Sequence, residues 1–198
     1  MSNERRHSSE DDTPLVNAWR KGDLPSFEVL VRKHQKRLFN IAYRITGDFD
    51  GACELVQDAF VAAYRGIDSF RGESRFSTWL TGIVVELIRG RLQAGQPDAR
   101  YPAGAVTGEE RGRIAAASGA GPSSLGKLES RDVVGKIEEC LKTLPVDFRE
   151  AIVLRDLQGL PYHEIGEILN VLEGTVRSRL YRGREMVRDC LKLSMGDL

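Results

Sequence analysis

Arginine and hydroxyl side chains are concentrated in one segment near the end of the chain, residues 170–192. The segment holds six arginines and lysines against three aspartates and glutamates, so its local charge is six minus three, or +3, in a chain whose formal net charge is zero. Arginine can reach guanine edges and phosphates from the major groove of DNA. The segment therefore predicts a DNA-binding surface. That surface must be local, because a chain with no net charge has no overall field that attracts nucleic acid. The predicted contact residues are Thr175, Arg177, Ser178, Arg179, Tyr181 and Arg182, with Arg184 beside them.

The helices that must position these side chains follow from the spacing of the apolar residues. An apolar stripe with spacings of four and three predicts a helix over 174–191. A shorter helix over 161–169 precedes it, and a turn at 170–173 joins the two. Such a pair is a helix-turn-helix, whose second helix enters the major groove. A solvated charged face is the other interpretation, but the turn, the stripe and the charge agree on one geometry. The inward stripe is Val176, Leu180, Gly183, Val187 and Leu191.

The sequence before this pair is also helical in pattern. Apolar residues from Val133 to Leu144 form one stripe that Pro145 stops. Asp147, followed three residues later by Glu150, fits a capping box with aspartate in the capping position. The helix that this box would open ends at Gly159. The second half of the chain is therefore predicted to consist of short helices.

The first half predicts a bundle of three amphipathic helices. The first helix begins with Ser26 as its N-cap and stops at Gly47. The second is opened by Asp48 or Asp50, and the third runs from about Ser74 and places Trp79 in the core. Three such helices with short connections make a compact unit. No strand pattern competes, so the predicted fold class is all-α with two small helical domains.

A segment of different composition separates the two halves. Residues 94–130 are dominated by glycine, alanine, serine and proline, and their apolar residues show no period. Such a segment buries too little surface to offset the entropy of ordering it. The interpretation is a flexible linker that tethers two folded units.

The cysteines and histidines predict neither a disulfide framework nor a metal site. Cys53, Cys140 and Cys190 lie far apart and form no C-x-x-C pair, and the three histidines are equally scattered. This pattern suits a reducing cytosol. Motifs for phosphate binding, metalloprotease or serine hydrolase chemistry are absent from the sequence. No cofactor, no metal, no small-molecule substrate and no catalytic residue is therefore expected.

The sequence also predicts a cytoplasmic protein. Residues 1–12 are polar and charged, whereas a secretory signal needs an apolar stretch there. No apolar run reaches the roughly 18 residues that a membrane-spanning helix requires. We therefore expect no membrane insertion.

Two stretches resemble the domains of a known family. GTVRSRLYRGRE, preceded by GLPYHEIGEILNV, resembles the promoter-reading fourth domain of bacterial sigma factors. ELVQDAFVAAYRGIDSFRGESRFSTWL is similar to the second domain of their small extracytoplasmic-function (ECF) class. The resemblance implies a region 2 bundle of three or four helices and a region 4 helix-turn-helix domain. The implied boundaries are a disordered tail at 1–12, region 2 at 13–93, the linker at 94–130, region 4 at 131–192 and a tail at 193–198.

The resemblance also implies a function and its partners. Members of this class bind core RNA polymerase and direct transcription initiation at promoters, catalysing no reaction themselves. The implied partners are core RNA polymerase, promoter DNA and an anti-sigma factor, and the implied context is a stress or envelope response. Region 2 would recognise and melt the minus-ten element, and region 4 would recognise the minus-thirty-five element.

Site residues for region 2 follow from the matched motifs. The helix that carries ELVQDAF would dock on a coiled coil of the largest polymerase subunit, whereas the residues alone are equally compatible with an ordinary solvated helix face. The segment after it would bind the melted strand, since unpaired bases need stacking surfaces and phosphate neutralisation. Phe70 and Phe76 either stack on these bases or pack the bundle. The implied polymerase-binding residues are Asp50, Glu54, Gln57, Asp58 and Val61, and the implied minus-ten residues are Phe70, Arg71, Ser74, Arg75, Phe76 and Arg89.

The helix after the Trp-Leu pair departs from the family pattern. Glu86 stands where the family has an asparagine, and Val85 lies opposite the core stripe. A carboxylate near phosphates is unfavourable unless it accepts from a cytosine amine. A second departure is Leu172-Glu173, where the family often has proline and a small residue.

Two other functions stay open on the sequence alone. One is a stand-alone helix-turn-helix regulator that does not bind polymerase, and the other is a sigma-like adapter without promoter activity, which Glu86 favours. Co-elution with core polymerase separates the first from a sigma factor. In vitro transcription separates the second.

Overall fold

The computed structural model describes residues 11–94 and 126–195, and its regular elements there are all helices. The predicted all-α class is confirmed. We call residues 11–94 the first unit and residues 126–195 the second unit. The first unit comprises α1 (Thr13–Arg20), α2 (Leu24–Thr46), α3 (Phe49–Gly66), a 3₁₀ turn (Ile67–Ser69) and α4 (Phe76–Ala94); the second comprises α5 (Gly126–Thr143), α6 (Val146–Ile152), α7 (Tyr162–Leu169) and α8 (Glu173–Met195).

The first unit is a bundle in which α2, α3 and α4 pack against one another. Gly47 ends α2 in the left-handed conformation, with φ of 74°, so the predicted stop is confirmed. The predicted N-cap is wrong: Asp23 holds that position, and Ser26 lies inside the first turn, where its hydroxyl donates to the Asp23 carboxylate. Asp48 is the N-cap residue of α3, one of the two predicted candidates.

Helix α1 closes one end of the bundle and was not predicted. Its Trp19 is buried and lies 4.6 Å from the ring of Phe27. Asp12, which the predicted tail includes, is also buried. Its carboxylate lies 2.7 Å from Nε2 of His34 and accepts from Lys33 Nζ at 2.6 Å. Of the predicted tail, residues 1–10 lie outside the described residues.

The second unit is built around α6. This helix continues through a π-helical turn, Val153–Leu157, and the chain then reverses at Gly159 with φ of 72°. The predicted capping box is wrong, because Pro145 holds the N-cap position without a side-chain bond. Asp147 instead accepts from Arg179 at 2.8 Å, and Glu150 is completely buried.

A disulfide joins Cys140 of α5 to Cys190 of α8, with a Cα–Cα distance of 5.8 Å. The expectation of no disulfide was therefore wrong for this pair. The two cysteines are 50 residues apart in sequence, and only the packing of α5 against α8 brings them together. The spacing of the two cysteines along the chain does not predict this contact.

The described ends of the linker are helical. Helix α5 begins at Gly126, five residues before the predicted start of the second domain, and α4 extends to Ala94. The remaining residues of the predicted linker, 95–125, lie outside the described residues.

The two units pack against each other along α4. One face of α4 lies on α7, while α2 contacts α5 and α6. Val85, which the sequence places opposite the core stripe of α4, is consequently buried rather than exposed. Arg44 and Glu138 form a further bridge of 3.0 Å between the units, and Arg149 donates to the Ile45 carbonyl at 2.5 Å.

Candidate nucleic-acid interface

The turn between α7 and α8 is held in one conformation by short contacts. Asn170 adopts the left-handed conformation, with φ of 53°. A Cβ on Gly166 would lie 2.9 Å from the Val171 carbonyl oxygen, so α7 and the turn approach too closely for a larger residue. The Leu172 carbonyl accepts from the amides of Thr175 and Val176 at 2.9 and 3.1 Å. The unusual Leu172-Glu173 pair is therefore compatible with a helix-turn-helix.

Helix α8 is fixed against α6 on the face predicted to point inward. Val176 and Leu180 are buried, and a Cβ on Gly183 would lie 2.8 Å from Cδ1 of Ile152 and 3.2 Å from Cβ of Phe148. The absence of a side chain at Gly183 lets the two helices approach closely. The opposite face of α8 is thereby turned outward.

The outward face carries most of the predicted minus-thirty-five residues. Arg177, Ser178, Tyr181 and Arg182 are exposed, and Tyr181 retains 65% of its full exposure. Thr175 is half-buried, and its carbonyl accepts from the Ser178 hydroxyl at 2.9 Å. These side chains lie together on one accessible surface, as the sequence predicts.

Two of the arginines in this segment, Arg179 and Arg184, bond carboxylates of α6 and of the π-helical turn that follows it. Arg179 is only 17% exposed and bonds Asp147. Arg184 donates to Asp156 at 2.9 and 2.6 Å, and these hydrogen bonds raise the pKa of its guanidinium. Arg177 makes an exposed i,i+4 bridge of 3.3 Å to Glu173, and its guanidinium lies 5.7 Å from the centroid of the Tyr162 ring. Such exposed bridges contribute little free energy, so Arg177 can exchange Glu173 for a phosphate or a base.

The aromatic residues predicted to stack on the melted strand are buried. Phe70 and Phe76 are 8% and 5% exposed and meet edge to face, with centroids 5.7 Å apart. Trp79, which the sequence places in the core, is only half-buried and lies 5.2 Å from Phe70. Arg20 donates to the carbonyls of Ile67 and Phe70 and so holds the segment in place. In this conformation the two phenylalanines position the loop.

The cationic residues of the same loop are accessible. Arg71 and Arg75 are exposed, and Ser74 is half-buried. They line an open cavity of about 970 Å³ between the two units. Glu164 of α7 forms the far wall, with its carboxylate 3.9 Å from Arg75. Arg75 of this loop thus lies beside an acidic group of the second unit while remaining exposed.

Arg89 is separated from the other predicted minus-ten residues. Its guanidinium donates to both carboxylate oxygens of Glu150, at 2.9 and 2.6 Å. Burial raises the pKa of the Glu150 carboxyl, although the hydrogen bonds from Arg89 oppose this shift. Glu86, one turn before Arg89, is exposed.

The predicted polymerase-binding residues form a continuous exposed stripe on α3. Glu54, Gln57, Asp58 and Val61 are exposed at helical spacing, and Asp50 is exposed in the first turn. The Glu54 carboxylate accepts from Arg91 at 2.9 Å. The surface combines carboxylates with one apolar side chain, Val61, which retains 47% of its exposure.

Sequence reasoning missed one residue of this stripe. Tyr64 is 48% exposed and lies one turn beyond Val61 on the same face. The available signal was the spacing of three residues from Val61.

In the part of the chain that is described, no helix is long and apolar enough to cross a membrane.

The fold and these surfaces define a two-unit helical protein with a helix-turn-helix in its second unit. The model of Sigma-70 region 2 matches residues 30–96, and that of Sigma-70, region 4, matches residues 135–187. The chain is 33% identical over 192 residues to the RNA polymerase sigma-H factor of Pseudomonas aeruginosa, covering 93% of this chain and 96% of that one. It is 36% identical over 180 residues to the ECF RNA polymerase sigma-E factor of Escherichia coli, covering 89% and 92%. The chain therefore belongs to the ECF class of RNA polymerase sigma factors, which direct transcription initiation at promoters.

Solved structures share the fold. The chain is similar to CnrH in complex with the cytosolic domain of CnrY, with a TM-score of 0.66 and 22% identity over 93% of this chain and 98% of that one. It is also similar to the sigma factor RpoE in complex with the anti-sigma factor NepR from Bartonella quintana, with a TM-score of 0.61 and 23% identity over 84% and 96%. At these identities the likeness concerns the fold.

Proposed function

We propose that the two units divide promoter recognition between them. Residues 13–93 bind core RNA polymerase and the minus-ten element, and residues 131–192 bind the minus-thirty-five element. The observation that carries this proposal is the exposed basic face of α8 opposite a buried stripe, in a chain that matches regions 2 and 4 in that order. The segment between the two units, 95–125, connects them. Two weak contacts joined by a tether reinforce each other through effective concentration.

Helix α8 would read the minus-thirty-five element from the major groove. Arg177 and Arg182 are exposed on the outward face and have the length to reach guanine edges. Ser178 and Tyr181 would bind phosphates or bases beside them. Arg179, which is bonded to Asp147, would contribute its charge to the local potential and leave direct base contact to its neighbours.

The exposed stripe of α3 would dock on the polymerase. Its carboxylates at Glu54 and Asp58 suit a basic partner helix, and Val61 gives the patch an apolar centre. Tyr64 extends this apolar centre by one turn. Asp50 and Gln57 complete the polar rim.

The segment between α3 and α4 would bind the melted minus-ten strand. Arg71 and Arg75 would neutralise phosphates, while Phe70 and Phe76 hold the loop in shape or rotate to meet bases. Binding energy for the unpaired strand drives opening within the polymerase complex. The proposal assigns the chain no reaction, no cofactor and no small-molecule substrate.

An anti-sigma factor is the proposed regulator. Both structurally similar proteins were solved with a partner: the sigma factor RpoE with the anti-sigma factor NepR, and CnrH with the cytosolic domain of CnrY. By analogy, the partner of this chain would hold it inactive in the cytoplasm until a stress or envelope signal releases it.

A sigma-like adapter without promoter activity is the second candidate. It is favoured by Glu86, whose carboxylate is exposed on α4, the helix that would face promoter DNA. The repulsion between this carboxylate and phosphates would weaken minus-ten recognition.

The experiment is transcription with purified core polymerase on genomic fragments, with footprinting of the complexes that form. We expect transcripts that depend on this chain, with protection at both promoter elements. A Glu86→Asn variant serves as the comparison, because it removes the carboxylate at the departing position. Stable core binding without any transcript from wild type or variant would establish the adapter instead.

A further inference from the structure

Glu173 differs in charge from the residues around it on the proposed minus-thirty-five surface. It is the one acidic residue in the sequence from 170 to 184, a stretch that also contains Arg177, Arg179, Arg182 and Arg184. Its side chain retains 45% of its exposure. The carboxylate is therefore accessible to whatever binds this face of α8.

Glu173 is the first residue of α8 and begins a row of side chains along the outward face. Arg177 and Tyr181 follow at spacings of four residues, which places neighbouring members of the row one turn apart. Leu172, directly before Glu173, is 81% exposed, so the turn also lies at the surface. In a helix-turn-helix, the first residues of the second helix meet base edges in the major groove. A helix that inserts Arg177 would therefore bring Glu173 to the bases as well.

The contacts of Glu173 within the protein are weak. Its carboxylate lies 3.3 Å from the Arg177 guanidinium in an exposed i,i+4 bridge, a kind of contact that contributes little free energy. The amides of Thr175 and Val176 are satisfied by the Leu172 carbonyl. A carboxylate in the first turn also interacts favourably with the helix dipole, but this effect is small at an exposed position. Packing therefore does not require a glutamate here.

DNA offers one base edge that suits this carboxylate. A carboxylate only accepts hydrogen bonds, and phosphates repel it. In the major groove, cytosine presents its N4 amine, which donates to glutamate. Guanine presents acceptors there, thymine presents an acceptor and a methyl group, and adenine has the N7 acceptor beside its amine. Cytosine is therefore the base that compensates Glu173 for the nearby phosphates.

We propose that Glu173 is a specificity-determining residue that selects a cytosine in the minus-thirty-five element, next to the bases that Arg177 contacts. Four residues of α8 span about 6 Å, and successive base pairs are about 3.4 Å apart. The two side chains therefore address base pairs at most two steps apart. The inference rests on the proposed function, since it is that function which assigns α8 to the minus-thirty-five element.

The test is binding of the holoenzyme, formed from core polymerase and the full-length chain, to promoter fragments in which each minus-thirty-five base pair is varied in turn. We expect wild type to prefer cytosine at one position by about tenfold or more, the discrimination of a good base contact. Glu173→Ala should reduce this preference to about twofold or less, because no acceptor remains. Glu173→Gln should shift the preference toward adenine, since an amide can pair with adenine N6 and N7.

The matched control is Glu28→Ala, which removes the glutamate of another exposed i,i+4 pair, with Arg32 on α2. We expect it to leave every base preference unchanged. A structural role of Glu173 gives a different result: Glu173→Ala would weaken binding to all sequences alike and keep the cytosine preference. A positioning role would remove the guanine preference that depends on Arg177 instead. Either result would overturn the proposal.

Arg177→Ala separates this inference from the proposed function. Loss of a guanine preference in Arg177→Ala, together with a wild-type pattern of preferences in both Glu173 variants, would overturn the role of Glu173 and leave the proposed function intact. A wild-type holoenzyme that is indifferent to every base of the minus-thirty-five element would instead refute the assignment of α8 to that element.

Discussion

Cys140 and Cys190 form a disulfide that ties α5 to α8, the helix that carries the proposed minus-thirty-five surface. The bond closes a loop across 50 residues of sequence. Disulfides are uncommon in the reducing cytosol, where the proposed function places the chain. Because the cross-link is present only in the oxidised form, the oxidised and reduced forms should differ measurably in the stability of the second unit.

Reduction of this disulfide is expected to destabilise the second unit by up to about 4 kcal/mol, because the cross-link restricts the unfolded chain. Thermal unfolding with and without a thiol reductant measures the difference. Cys190→Ser should unfold like the reduced wild type and be insensitive to reductant. Cys53→Ser, which leaves the pair intact, should keep the full sensitivity; its loss in that variant would contradict the assignment.

Arg177→Ala and Arg182→Ala should each weaken minus-thirty-five binding by about 1–3 kcal/mol, because both arginines are exposed on the outward face of α8. Binding of the holoenzyme to promoter fragments, with the minus-thirty-five sequence intact or scrambled, measures this. Arg32→Ala removes an exposed arginine of an i,i+4 pair on α2 and is the control. Equal affinity of all three variants and wild type would remove α8 from the interface.

Gly183→Ala should lower the free energy of unfolding of the second unit by about 1–3 kcal/mol, because a methyl group there would press on Ile152 and Phe148 of α6. Chemical denaturation followed by helical circular dichroism measures the change. Gly174→Ala is the matched control in the same helix, since its Cβ would meet no atom within 4 Å. Equal stability of the two variants would show that α6 and α8 do not approach as described.

Asp12→Asn should cost about 2 kcal/mol of stability at neutral pH, because the carboxylate accepts from Lys33 and contacts His34. Burial alone would raise the pKa of Asp12, but the hydrogen bonds from these neighbours outweigh it and hold the pKa below its ordinary value. The stabilisation is therefore fully present above the unfolded pKa and is lost as the pH falls through the lower folded pKa.

Unfolding of wild type and Asp12→Asn across pH 2–7 checks the sign of this linkage. The gap between them should be constant near neutrality and shrink below about pH 4, the ordinary range of aspartate. The exposed Asp68→Asn variant should track wild type throughout. A gap that widens in acid would reverse the assignment.

Local patterns predicted the helices that carry most of the proposed site. The stripe from Val176 to Leu180 gave the orientation of α8, and the stop at Gly47 followed from the one residue type that adopts positive φ without strain. The exposed stripe of α3 likewise followed from helical spacing. The ends and the buried faces of these helices depend on residues that are close together in the chain, so they can be predicted from one sequence.

Contacts between distant segments could not be predicted in this way. Glu150 fits a capping box on spacing alone, yet its partner Arg89 is 61 residues away. Val85 was expected to be exposed, yet it is buried. The second unit packs on this face of α4, and the spacing of apolar residues in α4 does not predict that contact. The disulfide was missed for the same reason: its geometry is set by packing.

The most direct test of the whole account is equilibrium binding of the full-length chain to purified core RNA polymerase at low salt, with no anti-sigma factor present. We expect a stoichiometric complex that Glu54→Lys weakens, because the charge reversal lies on the exposed stripe of α3. Glu28→Lys, an exposed glutamate on α2, should bind as wild type does. A wild-type chain that forms no complex with core enzyme would contradict the account.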